Sequence, residues 1–297
     1  MVRDRDASAP APFSGAIHPA TFHATAAHDE ALARLEWLVG QRQRCGLVLA
    51  EVGLGKSHVA VAAARRLGGL GAEVAVLSLA GLPDGEWLDL LLDRLPLDAA
   101  SRAEPVRPWL KLENRLRENT LLGRATVLIC DDIDRGPADA REGLARLVAA
   151  AEPRFGTTVI VATATPAGLA RVPDAIRQRA AVRIELPAWS DAEVADYLAA
   201  GLARAGRPAE LFTPAAAATI RRFAAGVPGV IRRLAHLALA AADAEGLMAV
   251  EAATIEAVWR ELSPPEPQAA TPHDDEADEA DEPTARPRFQ AVRRLWG

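Results

Sequence analysis

Apolar and polar positions change rhythm several times along the 297 residues, and each change marks an element. Ala31, Leu32, Leu35, Leu38 and Val39 recur at helical spacing behind Asp29, which is placed to cap that helix. Largely apolar runs follow at 46–49, 73–79, 125–130 and 157–162, and 182–186 reads as a fifth strand closed by Pro187. Runs of this kind suit strands buried on both faces of a parallel sheet. Between them, 58–67, 84–95, 108–122 and 137–151 carry the helical period, and Pro166 is placed to start another helix. From Ser190 the strand signal disappears. Helical patterns then span 190–204, 213–224, 227–243 and 250–262, the first opened by the capping-box-like Ser190-Asp191-Ala192-Glu193. The pattern predicts an α/β fold with a parallel sheet, followed by a small all-helical unit.

Composition narrows the class. Half the residues are hydrophobic but only 4% are aromatic, so Ala, Leu and Val must fill the core. No apolar run approaches the ~18 residues of a membrane helix. The charged start, Met1-Val2-Arg3-Asp4-Arg5-Asp6, lacks the apolar region of a signal peptide. A cytoplasmic location is expected. Of the net charge of −6, the stretch from Ser263 carries −4 through eight acidic and four basic residues. The nearly neutral remainder argues neither for nor against nucleic acid. Cys45 and Cys130 stand in no metal-ligand spacing and read as buried free thiols.

The chemistry concentrates in Ala50-Glu51-Val52-Gly53-Leu54-Gly55-Lys56-Ser57, with His58 opening the helical run behind it. A strand, a glycine loop and a helix in that order form the context of a phosphate-binding P-loop. Gly53 and Gly55 let successive N–H groups turn inward, and the helix adds its unpaired amides and the positive end of its dipole. Lys56 is placed for the β- and γ-phosphates of ATP, and the Ser57 hydroxyl for Mg2+. Ala50 stands where the usual pattern has Gly.

Some 75 residues later the apolar run 125–130 ends in Asp131-Asp132, the Walker B arrangement. Asp131 is placed to hold Mg2+ and Asp132 to orient the attacking water. Asp132 is one methylene shorter than the Glu usual there, so its reach is reduced. At the tip of the next strand Thr165 or Thr163 is placed to touch the γ-phosphate or its water, or to cap a helix starting at Pro166. Arg177 and Arg179 precede the fifth strand, where a guanidinium can offset charge on a neighbouring subunit's phosphoryl group. Phe13 and Phe22 either line an adenine pocket or pack. Arg232 and Arg233 follow Gly226-Val227-Pro228-Gly229, from where an Arg can reach the phosphates.

Together these features resemble an AAA+ ATPase, more narrowly the ExeA type (general secretion pathway protein A). The likeness runs from about Phe22 to Leu262. It rests on Asp29-Glu30-Ala31-Leu32-Ala33-Arg34-Leu35, the glycine loop, Gln178-Arg179 with Arg183 and Leu186, Glu210-Leu211-Phe212-Thr213-Pro214, and Gly226-Val227-Pro228 with Ile231 and Arg233-Leu234. The resemblance implies an αβα nucleotide-binding domain (21–188) and a helical lid (189–262). An N-terminus over 1–20 and an acidic tail over 263–297, ending in the basic and apolar 288–297, are expected to be disordered. It further implies an ATPase, acting through ATP-driven conformational or oligomeric change with Mg2+, and places the trans-acting finger at Arg179. Gly229 stands where the family commonly has its sensor-two Arg, leaving Arg232 or Arg233 one turn on. Secretion-type members continue into a membrane span, and no such span is expected from the apolar runs here. Related TniB-like ATPases assist DNA transposition, so DNA is a second expected partner class, beside a protein partner and further copies of the chain. A nucleotide-gated switch with weak hydrolysis is the alternative that Asp132 and Gly229 motivate.

Overall fold

The computed structural model describes Phe13 and residues 22–97, 107–150 and 155–262. The N-terminal stretch and the acidic tail with its basic end lie outside the described residues. The chain divides into two compact units, Ala16–Ala188 and, with Met1–Gly15, Trp189–Gly297.

The first unit is a five-stranded parallel sheet in the order β2-β3-β4-β1-β5. Its strands are β1 (Cys45–Leu49), β2 (Glu73–Ser78), β3 (Thr126–Asp131), β4 (Thr158–Ala164) and β5 (Val182–Glu185). The three central strands are buried at every position, as their apolar runs require. The edge strands β2 and β5 leave alternate positions more open. Helices α1 (Ala26–Gly40), α2 (Lys56–Gly69), α3 (Trp87–Arg94), α4 (Pro108–Leu121), α5 (Ala138–Ala149) and α6 (Asp174–Arg179) complete it. Leu112, Leu116, Leu128, Ile133, Leu144 and Ile160 are among the residues of its core, each about 1% exposed or less. Fully burying one such side chain contributes roughly 1.5–3 kcal/mol.

Two local expectations change. Helix α1 starts at Ala26 with Thr25 as its N-cap, so Asp29 lies inside the first turn, where its charge suits the helix dipole. No α-helix starts at Pro166. The chain makes a turn and one 3-10 turn, Leu169–Arg171, because Thr165 ties the Gly168 amide at 3.0 Å.

The second unit contains α7 (Asp191–Arg204), α8 (Pro214–Ala224), α9 (Pro228–Glu245) and α10 (Ala252–Leu262). Ser190 and Glu193 form the capping box, and Thr213 accepts the Ala216 amide at 3.2 Å to cap α8. Helix α9 ends on Gly246 in the left-handed conformation that glycine adopts without strain. Phe13 joins this core, its ring 5.5 Å from Tyr197 and 6.0 Å from Phe212, and so takes the packing alternative. Phe22 belongs to the other unit, beside His28.

Candidate functional site

Parallel register brings one set of residues to the carboxyl edge of the sheet. Cys130 pairs with Ala162, and Val48 with Thr163, so Asp131, Thr163 and the end of β1 stand level on adjacent strands. The loop from Ala50 to Gly55 leaves β1 at that edge, where ligands gather in open α/β sheets. Gly53 and Gly55 have φ of 85° and 94°, values an L side chain adopts only with strain. Gly55 is the residue from which α2 springs. Glu51, Val52 and Gly53 lie open to solvent, whereas Ala50 and Leu54 are buried and His58 is half-buried.

Five polar side chains converge there. Lys56 is buried, with Nζ donating to the Ala50 carbonyl at 2.9 Å and to Glu51 O at 3.3 Å. The same nitrogen is 3.9 Å from Asp132 Oδ1. Ser57 Oγ donates to Asp131 Oδ2 at 2.5 Å, and Thr163 Oγ1 donates to Asp131 Oδ1 at 2.5 Å. Thr163 Oγ1 in turn accepts the Asp132 amide at 2.8 Å. Asp131 is thus fixed through both carboxylate oxygens by two different elements.

Asp132 adopts φ 53°, ψ 48°, a left-handed conformation that Asp tolerates better than most residues. Burial raises its pKa above the ordinary carboxylate value, and the Asp131 and Asp134 charges add to that. Lys56 and Arg135 pull it back down.

An oxygen-only donor pair, Ser57 Oγ and Asp131, is of the kind that suits Mg2+. Among the described residues no group of three or more His, Cys, Asp or Glu is set to hold a metal ion.

The remaining expected residues lie elsewhere. Thr165 follows the end of β4, and its Oγ1 donates to Asp134 at 2.7 Å, not to Asp131. Of the two threonines that the sequence leaves open, Thr163 is the one against the paired carboxylates. Arg179 ends α6, donates to Val148 O at 3.1 Å, and lies two residues before Ala181, whose amide meets Cys45 O at 2.9 Å. That places it at the amino end of β1, roughly 16 Å from its own glycine loop at strand rise. Arg177 pairs with Asp174. Arg232 lies on α9, near enough to Tyr197 to oppose the burial that raises that phenol's pKa.

Two residues escape the sequence reading. Asp134 is buried, holds the Thr165 amide and hydroxyl, and meets the guanidinium of Arg171 at 4.0 Å. A Cβ at Gly168 would stand 1.8 Å from its Oδ2, so only glycine fits there. The signal was a third carboxylate in Asp131-Asp132-Ile133-Asp134. His28 is buried beside Gly55, and its signal was the three-residue spacing from the cap Thr25.

A glycine loop between a buried strand and a helix, facing two carboxylates at the same sheet edge, defines a P-loop NTPase fold. No protein-family model matches the chain. The chain is 27% identical over 241 residues to general secretion pathway protein A of Aeromonas hydrophila, a match covering 79% of this chain and 44% of that protein. It therefore spans less than half the length of this relative. Among solved structures it is similar to the Aeropyrum pernix ORC2 protein, solved as ADPNP-ADP complexes, with a TM-score of 0.61 at 17% identity over 85% of this chain and 72% of that one. The Aeropyrum pernix ORC1 protein in complex with DNA gives 0.60 at 14% identity over 83% and 68%. At such identities these structures establish the fold alone, a P-loop NTPase sheet followed by helices, and the curated relative is what bears out the resemblance to the ExeA type of AAA+ ATPase. Among the described residues no helix is long and apolar enough to cross a membrane.

Proposed function

We propose that the chain is an Mg2+-dependent ATPase in which nucleotide binding and hydrolysis drive a conformational or oligomeric change. The observation that carries this is the clamp on Asp131, held by Ser57 on one oxygen and Thr163 on the other, beside a buried Lys56. The amides around Gly53–Ser57 take the phosphates, and Lys56 offsets their charge. Ser57 and Asp131 hold the ion, which when bound neutralises charge on the phosphoryl oxygens. Thr163 keeps Asp131 in place and reads the γ-phosphate end of the site. Asp132 orients water, with Lys56 and Arg135 opposing the rise in its pKa that burial and its acidic neighbours cause.

Arg179 serves a neighbouring copy, since it lies far from its own loop. Residues 21–188 form the nucleotide-binding domain and 189–262 the lid, from which Arg232 answers nucleotide state. The chain works in the cytoplasm as a homo-oligomer. Turnover of ATP measured over a range of protein concentration tests this. Activity that rises on assembly and disappears in Lys56→Ala supports it; no Lys56-dependent turnover at concentrations that assemble the protein overturns it.

One observation favours a second reading, a nucleotide-gated switch that hydrolyses poorly. Asp132 is short, left-handed, and directed toward Lys56. A markedly faster Asp132→Glu variant supports the switch, and an unchanged robust rate removes it. Similarity to a protein solved with DNA supports a DNA-assembly role for the same ATPase. Salt-sensitive, ATP-dependent DNA binding would mark that role, and none at low salt removes it.

A further inference from the structure

His28 is the third residue of α1 and is buried against the glycine loop. Its Nδ1 accepts the Thr25 backbone N–H at 3.2 Å, and Thr25 Oγ1 lies 2.9 Å from the same nitrogen. A backbone amide only donates, so Nδ1 is the bare nitrogen and the neutral ring carries its proton on Nε2. Nε2 sits 3.5 Å from the point a Cβ on Gly55 would occupy. The Phe22 ring stands edge-on to the imidazole at 5.3 Å, on the stretch leading into α1.

Capping alone does not call for a histidine. Gln or Glu at this third position reaches back to the cap amide equally well. What the imidazole adds is a rigid edge close to Gly55, the left-handed residue on which the phosphate cradle turns. A loop held within a fraction of an ångström by packed neighbours binds better than one left loose.

We infer that His28 is a positioning residue of the nucleotide site: anchored by the Thr25 amide and packed by Phe22, its ring braces Gly55 so that the loop amides stay turned toward a phosphate. This rests on the nucleotide reading of the loop. The test is a titration with a fluorescent ADP analogue, together with thermal melting and ATP kinetics, on wild type, His28→Gln, His28→Phe and Lys56→Met. His28→Gln keeps an acceptor for the Thr25 amide and removes the ring. It is expected to melt near wild type, bind ADP about tenfold more weakly and show the loss in KM with kcat unchanged. His28→Phe keeps a ring and loses the acceptor, so it melts lower yet recovers most of the affinity.

Wild-type affinity in His28→Gln would reduce the histidine to a helix cap and overturn the inference. Equal weakening in both His28 variants would do the same, because the ring then contributes nothing. Binding that survives Lys56→Met contradicts the nucleotide reading itself and takes the inference with it. Binding lost in Lys56→Met but indifferent to His28→Gln removes the inference alone.

Discussion

The two units bury polar groups differently. In the helical unit the buried polar side chains described are Thr219 and Thr254, and its charges pair at the surface, Arg207 with Asp243 and Arg222 with Glu256. The α/β unit buries Lys56, Glu73, Asp131 and Asp134. Glu73 is explained by structure alone, because Arg115 meets both its oxygens at 2.9 and 2.5 Å. Asp134 is likewise held, by Thr165 and Arg171. Lys56 and Asp131 gather at one edge of the sheet, where well-packed hydrophobic residues are often as stable or more so. Packing accounts for the helical unit. It does not account for the cluster beside the glycine loop, and a function must.

The comparison breaks first at Lys56. Lys56→Met keeps the side chain's bulk and removes the buried charge. Turnover should fall to background while the melting temperature holds or rises, and a sharp drop in melting temperature would make the lysine structural. The two threonines sharpen the contrast at a smaller scale. Thr163→Val should lower kcat by about 10–100-fold, beyond a loss of about 1–3 kcal/mol of stability from unpairing Asp131 and the Asp132 amide. Thr165→Val should leave kcat nearly intact and cost about 1–3 kcal/mol of stability, since Asp134 loses a buried donor. Equal effects on kcat would erase the distinction between them.

The thiols report on packing. Burial pushes Cys45 and Cys130 up to about 12, so neither should react with an alkylating reagent at about pH 8 until the protein unfolds. Native labelling of Cys130 would mean that the centre of the sheet is open.

The smallest effect belongs to the helical surface. The Arg207 hydrogen bond holds Asp243 below the ordinary carboxylate range, so its contribution is present above that range and lost as pH falls through the lowered value. Asp243→Asn should cost less than about 1 kcal/mol at neutral pH and nothing at strongly acid pH, as expected of a water-screened pair. A larger loss would mean that the helical unit, too, depends on its charges.

Much of this contrast is legible in the sequence, for physical reasons. A strand buried on both faces writes itself as an unbroken apolar run, and a phosphate cradle needs glycines at fixed places, so β1, β3 and the loop stand out. The choice between Thr163 and Thr165 was not legible, because it depends on where β4 stops. Thr163 is still in the ladder, level with Asp131, whereas Thr165 lies past its end and turns to Asp134. Asp134 itself depends on a 3-10 turn and on the missing side chain at Gly168, which meet only in space. The start of α1 was misplaced because Asp29 is as good a cap by type as Thr25. Thr25 holds the position because the His28 ring at the third place accepts its amide.

The most direct measurement is a crystal structure of the protein with MgADP. The account predicts the diphosphate over the backbone amides from Gly53 to Ser57, with the ion beside the Ser57 hydroxyl and facing Asp131. A diphosphate bound away from that loop, or an ion remote from Asp131, would contradict it.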